Sequence, residues 1–155
     1  VIILRKNQKK IIVFFLMVLL LFSFQVSAQN RSAEDEAYVN LLKNSYFSGI
    51  KHKALTIGEV LKGLETSINQ NENLGGSYSF NVNEAKNVGR GQGKYVQMVL
   101  EINQTAISIH FWLDKSKNYV EYLGGEMNDN GNAINDQNQV MRFINIVYNT
   151  ALEVQ

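Results

Sequence analysis

Tyr95-Val96-Gln97-Met98-Val99-Leu100-Glu101-Ile102 and Ile107-Ser108-Ile109-His110-Phe111-Trp112-Leu113 are the two runs whose reading decides the fold. In the first, Val96, Met98, Leu100 and Ile102 alternate with Tyr95, Gln97 and Glu101, and only Val99 breaks the polar side. In the second, Ile107, Ile109, Phe111 and Leu113 alternate with Ser108, His110 and Trp112. Successive side chains of a strand point to opposite faces, so this period of two predicts a sheet with one face in the core. Asn103-Gln104 is short enough to be a hairpin turn, which makes the two strands antiparallel neighbours.

Working outward, Tyr78, Phe80 and Val82 alternate with Ser79, Asn81 and Asn83, and a shorter run covers Tyr119 to Leu123 after the turn Asp114-Lys115-Ser116-Lys117-Asn118. The spacing predicts a four-stranded meander. On either side the period changes to about 3.6. Thr56 with Glu59 three residues on has the form of a capping box, Leu55 and Val60 sit where a hydrophobic staple closes, and Ile57, Val60, Leu61, Leu64 and Ile68 make one stripe running to about Asn69. Ser32 and Asp35 begin an earlier helix carrying Tyr38, Leu41, Leu42, Ser45 and Tyr46, with Gly49 placed to end it. Val140, Phe143, Ile144, Val147, Tyr148, Ala151 and Leu152 predict a terminal amphipathic helix opening after Asp136. The expected fold is α+β, in the order α-α-β-β-β-β-α, with helices mainly on the sheet's apolar face. The polar stretch Asn69 to Ser77 reads as a loop, and Gln29 to Arg31 as a short loose tail.

The first 28 residues carry a destination. Arg5, Lys6, Lys9 and Lys10 form a basic head, Ile11 to Phe24 are apolar except Ser23, and Val26-Ser27-Ala28 puts small or apolar residues before Gln29. That order is the pattern of a secretory signal peptide. The apolar run is shorter than the roughly 20 residues a membrane span needs, which favours cleavage over anchoring. The expectation is a leader over 1–28 and one domain over 29–155, exported to a periplasm or the extracellular space and not membrane-bound after cleavage. The leader holds four of the fifteen basic residues and none of the fourteen acidic ones. The domain is therefore slightly acidic, its lysines are scattered, and a nucleic-acid partner is not expected.

Cysteine is absent, which excludes disulfides, thiolate metal sites, cysteine nucleophiles and the lipid-bearing thiol of bacterial lipoproteins. His52 and His110 alone leave little for a transition metal. Proline is absent too, so there is no PxxP ligand. Val88-Gly89-Arg90-Gly91-Gln92-Gly93 is a Gly-x-Gly-x-Gly run, but a strand follows it where a phosphate cradle needs a helix N-terminus. It reads as a loop between antiparallel strands, with Arg90 at its tip available to an anionic partner. Glu126 to Asp136 puts Glu126, Asn128, Asn130 and Asn132 at odd positions of a calcium-type loop around Gly131. Gln137 then stands where the bidentate carboxylate belongs, so a polar loop is expected instead. No cofactor and no metal are expected.

Two surfaces remain. His110, with Glu101 or Glu121 across from it, has the ingredients of general acid–base work, although no serine, threonine or lysine stands at a motif spacing beside it. Tyr95, Val99 and Trp112, with Tyr119 or Tyr122, collect aromatic residues on the face opposite the apolar one, unless a helix or the N-terminal segment covers it. Tyrosine and tryptophan give large contact area for little rotamer entropy, which suits recognition. The leading expectation is a non-catalytic binding or adaptor module of the cell envelope, its partner another envelope protein or a cell-surface ligand. A secreted inhibitor or immunity-type protein and a small hydrolase using His110 are the alternatives.

Leu55-Thr56-Ile57-Gly58-Glu59-Val60-Leu61, then a polar loop and a β-meander, resembles the opening of small envelope modules: the SmpA/OmlA outer-membrane assembly lipoproteins and folds like the β-lactamase inhibitor protein. The likeness covers about residues 55–123. This chain departs in lacking the lipid-bearing cysteine and in ending with a long amphipathic helix. The resemblance implies an envelope protein that works through contacts, and it transfers no functional residue.

Overall fold

The computed structural model describes residues 24–26, 30–50, 54–84 and 92–155. Most of the expected leader, the Lys51-His52-Lys53 linker and Arg90 with most of its glycine run lie outside them. The elements are β1 (Phe24–Val26), α1 (Ala33–Lys43), α2 (Ile57–Asn69), β2 (Gly76–Glu84), β3 (Lys94–Ile102), β4 (Thr105–Asp114), β5 (Tyr119–Asp129), β6 (Asn132–Ile134) and α3 (Gln137–Glu153). The sheet runs β1 to β6 in sequence order. It is antiparallel except for β1, which pairs parallel with Gly76 to Tyr78.

The α+β class and the meander match the sequence reading, but the sheet has two more strands than the four expected. β6 lies within the stretch expected to be a polar loop. There β5 continues to Asp129 and turns back through Asn130-Gly131, both at positive φ, as a tight hairpin requires. Polar side chains tolerate a strand here because this rim of the sheet is solvent-facing. β1 falls inside the expected leader, where hydrophobicity alone gave no reason to place a strand.

α2 starts as expected. The Glu59 amide donates to Thr56 Oγ1 at 3.3 Å, and the Thr56 amide donates back to Glu59 Oε2 at 2.7 Å. α1 is shorter than expected: it ends at Asn44, not near Gly49. The chain is drawn aside by the bond from the Ile57 amide to the Ser45 carbonyl, 2.9 Å, and by a bridge between Tyr46 and Thr56. Phe47 and Ile50 enter the core from this loop, and Tyr46 faces solvent. The expected loose tail is tied at Arg31, whose guanidinium donates to the Phe80 carbonyl at 3.1 Å and pairs with Glu36 at 3.3 Å.

The core takes Phe80, Val96, Met98, Leu100, Ile107, Ile109, Phe111 and Leu113 from one face of the sheet. It packs them against Leu42 of α1, Leu61 and Leu64 of α2, and Val140, Ile144 and Tyr148 of α3. The register sets Val96 opposite Phe111, Met98 opposite Ile109 and Leu100 opposite Ile107, so the apolar rows coincide across strands. α2 and α3 touch closely at Gly63, where a Cβ would stand 2.7 Å from the Ala151 carbonyl oxygen. The Tyr148 hydroxyl locks α3 to the entry of α2 by accepting from the Ala54 and Leu55 amides at 2.7 and 2.9 Å. A small apolar void of about 30 Å³ remains between these helices and the sheet, too small for an organic ligand.

Candidate functional site

Among the described residues α1, α2 and α3 all belong to the core on one face, and Ser79, Asn81, Gln97, Val99, Ser108 and His110 on the opposite face lie outside that core. Asn81 donates to Gln97 Oε1 across it at 3.1 Å. At the end of this face near the β4–β5 turn, Tyr95 and Trp112 stand opposite each other, with ring centroids 5.2 Å apart and edge-to-face. Trp112 is only 3% exposed, so this ring is covered, an outcome that the sequence left open. The backbone at Gly93 lies on the indole, so that a Cβ there would come within 2.6 Å of Cζ2. Among the described residues the strand's own lead-in at Gly93 and the ring of Tyr95 lie against it.

Beyond Trp112 the chain turns through Asp114, which is buried. Its Oδ1 accepts from the Ser116 hydroxyl at 2.6 Å and from the Ser116 and Lys117 amides at 3.0 and 3.3 Å, while Oδ2 pairs with Lys117 Nζ at 3.3 Å. The Ser116 bond first, with help from Lys117, holds the Asp114 carboxyl below its ordinary range against the opposing effect of burial. This hub fixes a single 3-10 turn that ends at Asn118 in the left-handed region, and it delivers Tyr119 to the surface at 49% exposure. An open cleft of about 330 Å³ is lined by Trp112, Asp114, Lys117, Tyr119 and Glu121.

The structure thus brings together Tyr95, Trp112 and Tyr119. Val99 shares their face farther along β3, opposite Ser108. Tyr122 does not join them: it lies on the core side, its ring 5.1 Å from Phe47 and 6.1 Å from Phe111, and burial raises its phenol above the usual value. The cause is the register set at the β4–β5 turn: Tyr119 faces Asp114 and Tyr122 faces Phe111, and two residues three apart on a strand point to opposite faces; the register shifts only beyond Tyr122, where Gly124 faces His110.

His110 finds neither expected carboxylate. Glu101 faces Ala106 and Glu121 faces Trp112, whereas His110 Nε2 lies 3.5 Å from Glu126 Oε1, both side chains well exposed. Among the described residues no hydrogen bond links His110 to the Ser108 hydroxyl. Among the described residues no group of three or more histidine, aspartate or glutamate side chains could hold a metal ion. Of the positions weighed for a calcium-type loop, Asn128 serves the hairpin, its Oδ1 accepting from the Gly131 amide at 2.9 Å, and the neighbouring Asp129 accepts from the Thr105 hydroxyl at 2.9 Å.

Sequence reasoning passed over two parts of this region. Asp114 stands in the sequence as an ordinary turn residue, and nothing local signals its burial. Gln137 stands out in the sequence only as the wrong residue for a calcium ligand. In the structure its carboxamide accepts from the Gly125 amide at 3.2 Å and donates to the Gly125 carbonyl at 2.7 Å. Gly124-Gly125 inside a strand was the available signal, since glycine there marks a bulge or a close approach.

Comparison with known proteins finds no matching family model, no matching curated protein and no matching solved structure.

Proposed function

We propose that this chain is a non-catalytic binding or adaptor module of the cell envelope, exported by the leader at residues 1–28. Its partner is another envelope protein or a cell-surface ligand. The observation that carries the reading is the rim cleft where half-exposed Tyr119 stands beside the buried Trp112, on the sheet face that the helices leave free. Trp112 and Asp114 act as the rigid support, and Tyr119 is the contact. A tyrosine held on a preorganised turn loses little entropy on binding, and such an anchor is worth about 2 kcal/mol when it becomes buried. The likeness of residues 55–123 to small envelope modules points the same way.

Co-purification from the native envelope, with a photo-crosslinking residue at position 119, tests the reading. A specific crosslinked partner is expected, lost in Tyr119→Ala while thermal stability is unchanged. Recovery of the same partner by Tyr119→Ala, or no partner at all, would remove the support for this surface. N-terminal sequencing of the exported protein should begin at Gln29.

A further inference from the structure

On the reading of residues 1–28 as a cleaved leader, we infer that folding closes the Ala28–Gln29 bond to the peptidase that removes secretory leaders. Cleavage then has to precede closure of the sheet. Phe24, Gln25 and Val26 form β1 and pair in parallel with Gly76, Ser77 and Tyr78 of β2. Val26 is the third residue before the expected cut, one of the positions whose small or apolar side chain marks it. A peptidase engages the backbone around its cut as an extended segment. While β1 is paired, that backbone is already committed to β2.

The chain is held on the far side of the cut as well, and on the same edge. The Asn103 amide donates to the Gly75 carbonyl at 2.9 Å, so Gly75 and, by alternation, Ser77 and Ser79 turn their backbone groups toward β3. Gly76, Tyr78 and Phe80 turn theirs toward β1, and Gln25 is the residue of β1 placed to bond between Gly76 and Tyr78. The next carbonyl in that row, Phe80, accepts from the Arg31 guanidinium at 3.1 Å. Arg31 is mostly buried, pairs with Glu36 of α1 at 3.3 Å, and lies over the Phe80 ring. Ser32 then caps α1 at once, its hydroxyl accepting from the Asp35 amide at 3.1 Å. Ser27, Ala28, Gln29 and Asn30 are all that separates Val26 from Arg31. Chain cleavage favours a segment with slack, and this span is pinned at both ends to one row of β2.

The closure is a brake, not a block. β1 is three residues long, parallel and at the end of the sheet, whereas β2, β3, β4 and β5 pair along most of their lengths. Such an edge opens more readily than the meander, so cutting slows to the fraction of time for which β1 is released. The two orders of events leave different molecules. A chain cut before it folds carries β2 as an edge strand, its Gly76, Ser77 and Tyr78 paired with Ile102, Glu101 and Leu100 of β3. A chain that folds first keeps β1, and with it the leader.

The full chain in detergent micelles is given to signal peptidase in two states: folded beforehand, or unfolded in urea and diluted into the assay at time zero. Mass spectrometry follows the product that begins at Gln29. The freshly diluted chain should be cut about tenfold faster or more. Gln25→Pro removes the amide that faces β2 and should bring the folded rate to within about twofold of the fresh one. Phe24→Pro, whose amide faces away, should leave the gap open. Amide exchange at Gly76 and Tyr78 should be faster in the cut chain than in the uncut one, with Ser77 unchanged. Equal folded and fresh rates overturn the inference, as does a gap that Gln25→Pro leaves unaltered, or exchange at Gly76 and Tyr78 that the cut does not change. If both states are cut before Gln29 at one rate, the leader reading stands and the order of events fails alone. If neither state is cut there, the leader reading fails and the inference falls with it.

Discussion

Trp112→Ala separates a buried support from an exposed anchor. A tryptophan takes about 200 Å² out of water when fully buried. At about 25 cal/mol per Å² this sets an upper bound near 5 kcal/mol. Trp112 is 3% exposed, with Tyr95 against one edge and the Gly93 backbone against its six-membered ring. It lies outside the main core and borders an open cleft, so neighbours can relax into the space and water can reach it. The expected loss is therefore at the lower end of the usual range for aromatic truncation, about 3 kcal/mol. Urea unfolding followed by far-ultraviolet circular dichroism measures it, since the variant loses the chain's one tryptophan. Trp112→Phe, which keeps a ring against Tyr95, should lose less. A loss under about 1 kcal/mol for Trp112→Ala, or wild-type fluorescence at the wavelength of free indole in water, would show that the side chain is not packed as described.

Tyr148→Phe removes the acceptor of the Ala54 and Leu55 amides, of which the second belongs to a buried residue; a loss of about 1–3 kcal/mol in denaturant unfolding is expected, and no loss would mean that water serves these amides instead. Gly63→Ala drives a methyl into the Ala151 backbone, where no rotamer can yield, and should cost about 1–3 kcal/mol by calorimetry; an unchanged midpoint would refute the close helix contact. The Asp114 carboxyl is held below its ordinary value of 3.8, so its contribution to stability is complete above that pH and is lost as pH falls through the lower folded value. Wild type should therefore exceed Asp114→Asn in thermal midpoint at pH 7, with the gap closing below about pH 4; a gap constant down to pH 2 would contradict the assignment.

The legible parts of the fold were those with a local cause. Thr56 and Glu59 form their capping box because both partners lie within one turn, and Val96 to Leu113 pair as read because two matched runs share one short turn. The end of α1 was illegible for the opposite reason. Tyr46 continues the helical spacing, but the Ser45 carbonyl is claimed by Ile57, a residue whose approach depends on where α2 packs.

The site divides in the same way. Strand parity by itself determined that Tyr95, Val99 and Trp112 share the face away from the core, because side chains alternate whatever the surroundings. Composition by itself excluded disulfide and thiolate chemistry. Parity puts Tyr119 and Tyr122 on opposite faces but could not decide which of them joins Trp112, because that depends on the register across the β4–β5 turn, which a shift of one residue inverts. Nor could it show that Gly93 covers Trp112, that His110 meets Glu126, or that Gln137 completes the edge at Gly125. Each of these contacts joins segments brought together only when the strands register and α3 crosses the sheet. They were decided by tertiary packing alone.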